Sequence, residues 1–440
     1  MTMSSTTFVR SQLAEAAPPP ASTSGAIGWV RANLFSSIPN TILTLVGGYV
    51  AFMLLWTFID FTLVRAVWTG DDRQACLDSN AGRSVGACWP FVAAKFSQFM
   101  YGFYPVEARW RVNLTYVTAI VLIVPLLVPS APYKVLNAVL FFGVFPVLAF
   151  ILLYGGSVIN PWLTVFGWLA LLAGIGLLVG YVLSLIEGNP QQPLLTYGAA
   201  LLAVGVVMMV LVRFDWFAEP ALPIVETRQW GGLLVTLVVA ITGIVAALPI
   251  GVALALGRRS KLPIIRLLSV ALIELVRGVP LITVLFFATY VLPLFLDWKP
   301  DGMVRVLVGV SIFSGAYMAE VVRGGLQAIP KGQFEGAQAL GLNYPRMMGL
   351  VVLPQALKLV IPGIVNSFIG LFKDTTLVSI VALFDLLGMM RAGFTDPQWA
   401  SPVTLYTGFA FAGIIYFAFC YFMSRYSIFI EKRLNKGRRH

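Results

Sequence analysis

Residues 230–260 read WGGLLVTLVVAITGIVAALPIGVALALGRRS, and this stretch decides the fold class. No charged side chain interrupts it before Arg258. Because an α-helix rises about 1.5 Å per residue, about 20 apolar residues cross the roughly 30 Å of hydrocarbon in a bilayer. Transmembrane β-strands alternate apolar and polar residues, whereas this run is continuous. The stretch therefore predicts a transmembrane α-helix rather than a strand of a barrel.

The rest of the chain has the same character. Hydrophobic residues make up 59% of the 440 residues, Asp, Glu, Lys and Arg together only 11%, and the mean hydropathy is +0.86. A soluble domain carries about 25% charged residues, so this composition excludes one. We predict an all-α polytopic membrane protein with about ten transmembrane helices. The predicted spans are 41–61, 114–130, 135–155, 162–186, 195–212, 231–256, 264–295, 303–323, 356–388 and 404–424, of which 264–295 and 356–388 are long enough to be bent or interrupted.

The predicted organisation has four parts that differ in composition. The first part is rich in Ser, Ala, Thr and Pro, which predicts disorder. The parts are a disordered cytoplasmic start (1–38), an N-terminal extension of five spans with a cysteine-containing loop (39–227, loop 62–113), a five-span core with a long loop (228–427, loop 324–355) and a basic cytoplasmic tail (428–440).

The residue inventory excludes several kinds of chemistry. The only histidine is His440 and the three cysteines are Cys76, Cys88 and Cys420, so neither a metal cluster nor a histidine-based triad can be assembled. The sequence has no Gly-Lys dipeptide, and so no Walker A loop for ATP. Despite a net charge of +11, the basic residues lie in short clusters between apolar runs, which does not favour nucleic-acid binding. We expect no catalytic residue, metal or cofactor in this chain.

Lys and Arg in the short loops of the core predict its orientation. The set 257–266, 323–358 and 425–440 carries fourteen basic and two acidic residues. The opposite set, 213–228, 297–305 and 385–400, carries five basic and seven acidic residues. Since basic residues accumulate in cytoplasmic loops, the first set and the C-terminus are predicted to be cytoplasmic. Counting back through ten spans places loop 62–113 outside.

Loop 62–113 contains two features of interest. Placed outside, Cys76 and Cys88 would lie in an oxidising compartment, where a disulfide can form; the alternative is two unpaired thiols. The aromatic stretch WPFVAAKFSQFMYGFYP (89–105) is predicted to lie along the membrane surface as an amphipathic helix.

Loop 324–355 predicts two short helices joined by a tight turn. Pro330 can begin the first helix, and Gly341 supplies the left-handed residue that ends it. Asn343 can cap the second helix, with Pro345 in its first turn. A helix of about ten residues is roughly 15 Å long, a suitable size for a groove on a partner protein. The alternative interpretation is an ordinary connection between two spans.

The same loop resembles the EAA motif of ABC importer permeases. In that motif Glu-Ala-Ala is followed after three residues by Gly, and after nine more by Ile-x-Leu-Pro. The spacing is preserved here, with Gly in place of the first Ala and Val in place of Ile, in Glu335-Gly336-Ala337, Gly341, Val351, Leu353 and Pro354. The resemblance implies that Glu335, Gly336, Ala337, Gly341, Leu353 and Pro354 couple the chain to a separate ATPase.

The resemblance covers residues 228–427. The segments IELVRGVPLI (273–282), SGAYMAEVVRGGLQAIPKGQ (314–333) and LFKDTTLVSI (371–380) resemble successive blocks of the polar amino acid permeases, the histidine/glutamate-type branch, which have an ABC type I importer core of five helices. The extension, with GACWPF and YGFYPVEARWR, resembles bacterial general amino acid permeases of the Aap/Bzt type, nearer to their second permease subunit, M or C. This implies import of glutamate, glutamine, aspartate and asparagine, or of L-amino acids generally, across the inner membrane.

The family resemblance also implies an assembly. The chain would pair with a homologous permease subunit, contact an ATPase dimer that binds ATP and Mg, and receive its amino acid from a periplasmic binding protein. Closure of the ATPases would move the helix containing Glu335 and open the central path to alternate sides of the membrane. The five additional spans would form a peripheral scaffold in contact with lipid.

Charged residues inside the core spans are candidates for the translocation path. A charge at membrane depth costs about 2.5–3.5 kcal/mol on insertion scales, so each one needs a partner or a wet cavity. For Lys373 and Asp374, with Thr375 and Thr376 beside them, the alternatives are a buried ion-pair network and direct contact with the charged groups of an amino acid.

Glu274 and Arg277 precede a break at Gly278-Val279-Pro280. Their spacing allows a pair on one helix face. The alternatives are again helix packing and binding of a carboxylate or ammonium group at the break. Glu320 and Arg323 have the same spacing, and we expect a structural role for them.

Two rival functions are weaker. An ion-coupled secondary amino acid transporter would need intramembrane carboxylates for coupling and an inverted repeat between its halves, and no repeat is visible. A membrane enzyme would need clustered His, Cys or paired acids at one depth, which the sequence does not offer.

Overall fold

The structure is a computed structural model that describes residues 25–78, 82, 84–156, 159–186, 192–214, 222–297 and 300–435. Within these ranges the chain is mainly helical, and its only β-pairings are four isolated bridges. The predicted all-α fold class is therefore confirmed. By contacts the chain divides into two compact units, Met1–Trp89 and Pro90–His440.

The described part of the first unit includes the α-helices α1 (Gly25–Asn33) and α2 (Ile38–Ile59) and a 3-10 turn at Arg73–Cys76. Ser37 caps α2 by accepting a hydrogen bond from the Asn40 amide, and the apolar run continues as a π-helical turn to Val64. The predicted first span is confirmed as Ile38–Val64. The prediction of disorder is wrong for residues 25–33, because the Ser- and Pro-rich composition ends at Gly25 and a helix-compatible sequence follows. Residues 1–24 of the predicted disordered start lie outside the described residues.

In the first unit, α2 is followed by a loop that a disulfide cross-links. A disulfide joins Cys76 to Cys88, whose Cα atoms are 5.8 Å apart. Cys88 also forms an isolated parallel bridge with Val67, and the Trp89 indole N–H donates to the Thr62 carbonyl oxygen at 2.8 Å. These bonds connect described residues at both ends of the loop, where Cys76 and Cys88 are both buried.

The remaining helices follow in chain order. Those of the extension are α3 (Trp89–Tyr101), α4 (Arg109–Leu127), α5 (Lys134–Val139), α6 (Phe145–Tyr154), α7 (Ile159–Ile186) and α8 (Gln192–Arg213). Those of the core are α9 (Leu233–Arg258), α10 (Pro263–Gly278), α11 (Leu281–Phe286), α12 (Gly302–Gln327), α13 (Lys331–Ala339), α14 (Tyr344–Met347), α15 (Leu353–Leu359), α16 (Ile361–Asp374), α17 (Leu386–Gly393) and α18 (Thr404–Asn435).

The count of membrane spans agrees with the prediction. In the described part of the chain, nine helices are long and apolar enough to cross a membrane, and ten if the bent pair of α10 with α11 and its continuation to Leu294 is one span. That pair is bent by 109°. The other long run is interrupted as well: α16 passes into a 3-10 helix, Thr375–Val381, and Ala382 takes a left-handed conformation (φ 63°) before α17.

Two apolar clusters hold the second unit together. The first cluster joins Tyr104, Val112 and Leu153 of the extension to core residues such as Leu234 and Val310. The second cluster gathers buried residues of α10 and α12 with the loop that follows α12; its members include Ile273, Met318, Leu326, Ala337, Met347, Met348, Val352 and Ala356. Residues of the extension thus contribute directly to the packing of the core.

Helix α3 is buried against the core. Phe91 and Phe99 are fully buried, and their rings lie 6.3 Å from Trp399 and 6.1 Å from Phe411. Part of the aromatic surface of this stretch therefore packs against protein, while Phe96 is 49% and Phe103 53% exposed, and its placement along the membrane surface stays a prediction. Gly232 has a positive φ of 63° and approaches the Phe99 carbonyl so closely that a Cβ would collide with it.

An ion pair between Lys95 and Asp396 also joins α3 to the segment that follows α17. We predict that Lys95→Gln and Asp396→Asn each lower the thermal midpoint. The double variant should lose about 0.2–1 kcal/mol less free energy of unfolding than the sum of the two single variants. Lys358→Gln, an exposed lysine elsewhere, serves as the control. Strictly additive losses would contradict a direct pair.

The same pair predicts a dependence on pH. The hydrogen bond from Lys95 and the Gln398 amide lower the pKa of Asp396. A carboxyl group whose pKa is lower in the folded state stabilises the fold at pH values above its ordinary pKa of about 3.9. This stabilisation is lost as the pH falls through the folded-state pKa. The difference in thermal midpoint between wild type and Asp396→Asn should therefore persist down to about pH 5 and shrink in more acidic buffer.

Candidate functional site

The loop after α12 folds as two short helices, as predicted. Helix α13 ends at a left-handed Gly341 (φ 72°), with the Gly341 amide donating to the Gln338 carbonyl at 2.9 Å and the Leu342 amide to the Ala337 carbonyl at 3.2 Å. These are the two bonds of a Schellman motif, which satisfies carbonyls at a helix end. The Asn343 side chain then accepts from the Arg346 amide at 3.2 Å and caps α14.

One face of this loop is buried and the other is exposed. Ala337 is 3% exposed and packs in the second apolar cluster. Glu335 and Gly336 are exposed, as are two large apolar side chains beyond them, Leu340 (80%) and Leu350 (70%). Exposed apolar side chains on a loop outside the candidate spans fit a surface that binds another protein. The motif residues are therefore divided between an inward-facing contact and an outward-facing surface.

The loop is connected to the spans by polar contacts as well. The Arg259 guanidinium at the end of α9 lies 5.6 Å from the centre of the Phe334 ring in α13, and it donates to the Leu326 carbonyl at 3.4 Å. Gln355 of α15 donates to the Gln333 side chain at 2.9 Å. Of the last two motif residues, Leu353 is half-buried against the second cluster and Pro354 is exposed at the start of α15. A displacement of α13 would thus be transmitted to α9 and to α15.

A network of five charges lies where α9, α10 and α12 approach one another. The Glu320 carboxylate accepts from Arg258 at 2.9 Å and Arg323 at 2.8 Å, and Arg277 lies 3.6 Å away. Arg258 also donates to Glu274 at 2.9 Å. Three arginines therefore share two carboxylates, and Glu320, with 17% of its side chain exposed, is the centre of the network.

The network changes the predicted pairing of Glu274. Among the described residues its carboxylate pairs with Arg258 of α9, sixteen positions away, rather than with Arg277 on its own helix. Arg277 instead reaches Glu320 and lies 5.7 Å from the centre of the Tyr317 ring. These contacts favour the packing interpretation of both residues over ligand binding at the break. Glu320 and Arg323 pair as expected.

Lys373 and Asp374 are not part of any such network. Lys373 is exposed and Asp374 half-buried at the end of α16, and among the described residues neither side chain has an ion-pair or hydrogen-bond partner. The neighbouring hydroxyls are occupied: Thr375 donates to the Phe372 carbonyl at 2.8 Å, and Thr376 to the Lys373 carbonyl at 2.9 Å. The predicted ion-pair network does not form within the described part of this chain.

Two structurally important residues were missed by the analysis of the sequence. Arg258 and Asp385 were counted only as loop charges, yet Asp385 is fully buried and caps α17 by accepting from the Gly388 and Leu387 amides at 2.9 and 3.2 Å. Tyr416 also donates to it at 3.0 Å. An Asp directly before an apolar helical run is an N-cap signature, which could have revealed this role. Nothing in the sequence pattern identifies the partners of Arg258.

The comparisons with known proteins agree on one family. Residues 247–436 match the family described as binding-protein-dependent transport system inner membrane component. The chain is 42% identical to the inner membrane amino-acid ABC transporter permease protein YhdY of Escherichia coli strain K12, over 96% of this chain and 97% of that protein. It is 40% identical to the glutamate/glutamine/aspartate/asparagine transport system permease protein BztC of Rhodobacter capsulatus, over 99% of this chain and 100% of that protein.

A solved structure is also similar to part of the chain. Its title is "Crystal structure of an amino acid ABC transporter with histidines", and the match has 28% identity and a TM-score of 0.41, covering 46% of this chain and 92% of the other.

Two glycines of the loop predict opposite effects of substitution. A Cβ at Gly336 would meet no atom within 4 Å, so Gly336→Ala should stabilise α13 by up to about 1 kcal/mol through helix propensity. A Cβ at Gly341 is equally free of collisions, but its left-handed backbone makes Gly341→Ala unfavourable by about 1 kcal/mol. Thermal midpoints of the purified variants should move in opposite directions, and a common direction would contradict the assigned helix end.

Proposed function

The chain belongs to the inner-membrane permease components of binding-protein-dependent amino-acid transport systems, and we propose that it is the permease subunit of an importer for polar amino acids, driven by a separate ATPase. It is a multi-pass transport subunit of the ABC transporter class. The observation that carries the proposal is the loop of α13 and α14, whose exposed face bears Glu335 and Leu340 while its buried face packs against the spans.

The proposed coupling follows the contacts of that loop. A partner ATPase bound to the exposed face would push on α13, and the push would reach the core through the buried Ala337 and through the contact of Phe334 with Arg259. Arg259 neighbours Arg258, whose guanidinium holds Glu320 of α12 and Glu274 of α10. Movement of α13 is thereby linked to three core helices. Nucleotide and Mg would be held by the ATPase dimer, and this chain would make no covalent bond.

The proposed substrates are glutamate, glutamine, aspartate and asparagine, or a wider range of L-amino acids. The named substrates of the similar Rhodobacter capsulatus permease support the first set. A homologous permease and a periplasmic binding protein would complete the assembly. An ion-coupled secondary transporter is not favoured, because the sequence is similar along its whole length to ABC transporter permeases.

Lys373, Asp374 and the two following threonines are proposed to line the translocation path. An unpaired charge within a span costs about 2.5–3.5 kcal/mol, so a partner from outside the chain is expected. The ammonium of Lys373 and the carboxylate of Asp374 match the carboxylate and ammonium that every free amino acid carries. They also lie where α16 passes into a 3-10 helix, at an irregular segment of the kind that lines transport sites.

The proposed orientation places the α13–α14 loop and the C-terminus in the cytoplasm. The charge distribution of the loops supports it, since fourteen basic and two acidic residues lie on that side of the core. The disulfide between Cys76 and Cys88 is compatible with a loop on the periplasmic side, where thiols become oxidised.

We predict that Glu335→Lys uncouples the importer. Glu335 is exposed on α13, so the charge reversal should leave folding intact and disturb only binding of the ATPase. The measurement is ATP-dependent uptake of labelled glutamate and glutamine by proteoliposomes that contain both permeases, the ATPase and the binding protein. Uptake should fall at least tenfold, equivalent to about 1.4 kcal/mol of coupling.

The matched control for this experiment is Glu431→Lys, which makes the same charge change at an exposed position in the last turns of α18. It should transport at the wild-type rate. If Glu335→Lys supports uptake at the wild-type rate, the proposed coupling role is wrong. Thermal midpoints of both variants check that the fold is retained.

We predict that Lys373→Ala lowers uptake at least tenfold without loss of the assembled complex, because the substrate carboxylate would lose a charge partner worth about 1.4 kcal/mol or more. Lys373→Arg should retain part of the activity. Lys358→Ala, an exposed lysine outside the candidate spans, is the control. If Lys373→Ala instead fails to co-purify with the second permease, Lys373 is a subunit contact and its proposed place in the path is wrong.

A further inference from the structure

A buried arginine of the N-terminal extension has two nitrogen atoms without hydrogen-bond partners among the described residues. Arg111, in the first turn of α4, is 1% exposed and is among the largest fully buried side chains in the described part of the molecule. Its Nη1 donates to the Pro223 carbonyl at 3.0 Å. Its Nε and Nη2 atoms are buried and make no hydrogen bond within the described residues. A guanidinium remains charged at any physiological pH, so these donors are buried as part of a full positive charge.

The described surroundings of Arg111 supply no compensating anion. Its charged side chain lies 5.8 Å from the centre of the Tyr104 ring, and the Tyr104 hydroxyl, which donates to the Leu153 carbonyl at 2.9 Å, offers it a neutral oxygen only. No carboxylate among the described residues lies within 4.0 Å of Arg111. A contact with an aromatic face stabilises a cation less than a paired and hydrogen-bonded anion does.

The position in the helix adds to the positive potential. The first turn of α4 contains Arg109 as well as Arg111, has no acidic residue, and is preceded by Ala108, which offers no side-chain cap. The positive end of the helix dipole lies at the same place and favours an anion. Two arginines at a helix N-terminus are unfavourable unless negative charge is brought to them.

The unpartnered atoms have a geometry that identifies the chemical class of the anion. Nε and Nη2 form one edge of the planar guanidinium and present two roughly parallel N–H donors. That edge matches two oxygen atoms of a carboxylate or a phosphate, the bidentate arrangement that distinguishes Arg from Lys. A spherical anion such as chloride cannot occupy both donors with the same directionality.

We propose that Arg111 forms a buried oxyanion site, in which the Nε and Nη2 edge binds a carboxylate- or phosphate-type group while Nη1 stays on the Pro223 carbonyl. The site is separate from the α13–α14 loop and from Lys373. The inference concerns binding within the extension and does not depend on the transport function proposed above. The anion can be a soluble molecule or the headgroup phosphate of a lipid, since both offer the same pair of oxygen atoms.

The test measures thermal midpoints of the purified full-length chain in uncharged detergent, after overnight equilibration with sodium acetate, sodium phosphate or sodium chloride at equal ionic strength. We expect acetate and phosphate to raise the wild-type midpoint by several degrees over chloride, with saturation. Arg111→Gln should lose this difference, and Arg109→Gln, whose Nε is already bonded to the Tyr104 carbonyl, should keep it. An equal response of wild type and Arg111→Gln would exclude a soluble anion, and it would overturn the site if the comparison of lipids in nanodiscs also shows no difference.

A second variant keeps the test informative if Arg111→Gln does not fold. Arg111→Lys keeps the charge but lacks the two-donor edge, so it should fold and respond equally to acetate and chloride. Retention of the full acetate preference by Arg111→Lys would also overturn the proposal, because the bidentate edge would then be irrelevant.

The two sources of the anion are distinguished in nanodiscs. Wild type and Arg111→Lys are compared in phosphatidylcholine alone and in phosphatidylcholine with phosphatidylglycerol. If the thermal midpoint of wild type, but not of Arg111→Lys, rises only when phosphatidylglycerol is present and not with soluble anions, the site binds a lipid phosphate. A gain with acetate or phosphate in phosphatidylcholine alone assigns it to a soluble anion. Because phosphatidylcholine also carries a phosphate, the reference free of lipid phosphate is the chain in uncharged detergent. If neither lipid nor any soluble anion raises the wild-type midpoint above that reference relative to Arg111→Lys, the buried edge binds no anion.

Discussion

The fold depends on one constraint, which is that a backbone N–H or C=O in hydrocarbon must be bonded within its own helix or covered by protein. Most spans meet it by being regular helices. The two core spans that break have buried side chains next to each break. At the first break, Val276 and Leu281 on either side of it are 4% and 6% exposed. At the second, the fully buried Asp385 accepts the free amides of α17 and the hydroxyl of Tyr416. Packed side chains thus support the second break, whereas Gly278 and Pro280 of the first break are themselves exposed in this chain.

The same constraint sorts the charges of the core into two groups. Arg258, Glu274, Arg277, Glu320 and Arg323 pair with one another, so the network joins α9, α10 and α12. Lys373 and Asp374 lie beside irregular backbone and find no partner in the described part of the chain. A charge that the chain itself satisfies contributes to packing, whereas a charge left unsatisfied in a span needs a ligand or another subunit. This difference separates the structural residues from the candidates for substrate contact.

The extension has a closer relation to the core than a peripheral scaffold would have. Tyr104, Val112 and Leu153 share an apolar cluster with Leu234, and α3 covers the segment after α17 with aromatic side chains and Lys95. Apolar side chains that interdigitate in this way cannot move independently without opening cavities. Rearrangement of the core would therefore have to carry these parts of the extension with it, or break their contacts.

The sequence by itself determined the span positions and both short helices of the loop, because these depend on local features: uninterrupted apolar runs, a left-handed glycine at Gly341 and a capping side chain at Asn343. Only the tertiary structure decided which charges meet. Arg258 and Glu320 are 62 positions apart and Lys95 and Asp396 are 301 apart, and no periodicity encodes such a contact. The burial of α3 and the unpaired edge of Arg111 belong to the same class. An aromatic or charged residue has the same local signature whether it faces lipid, water or protein, and only the packed neighbours distinguish the three.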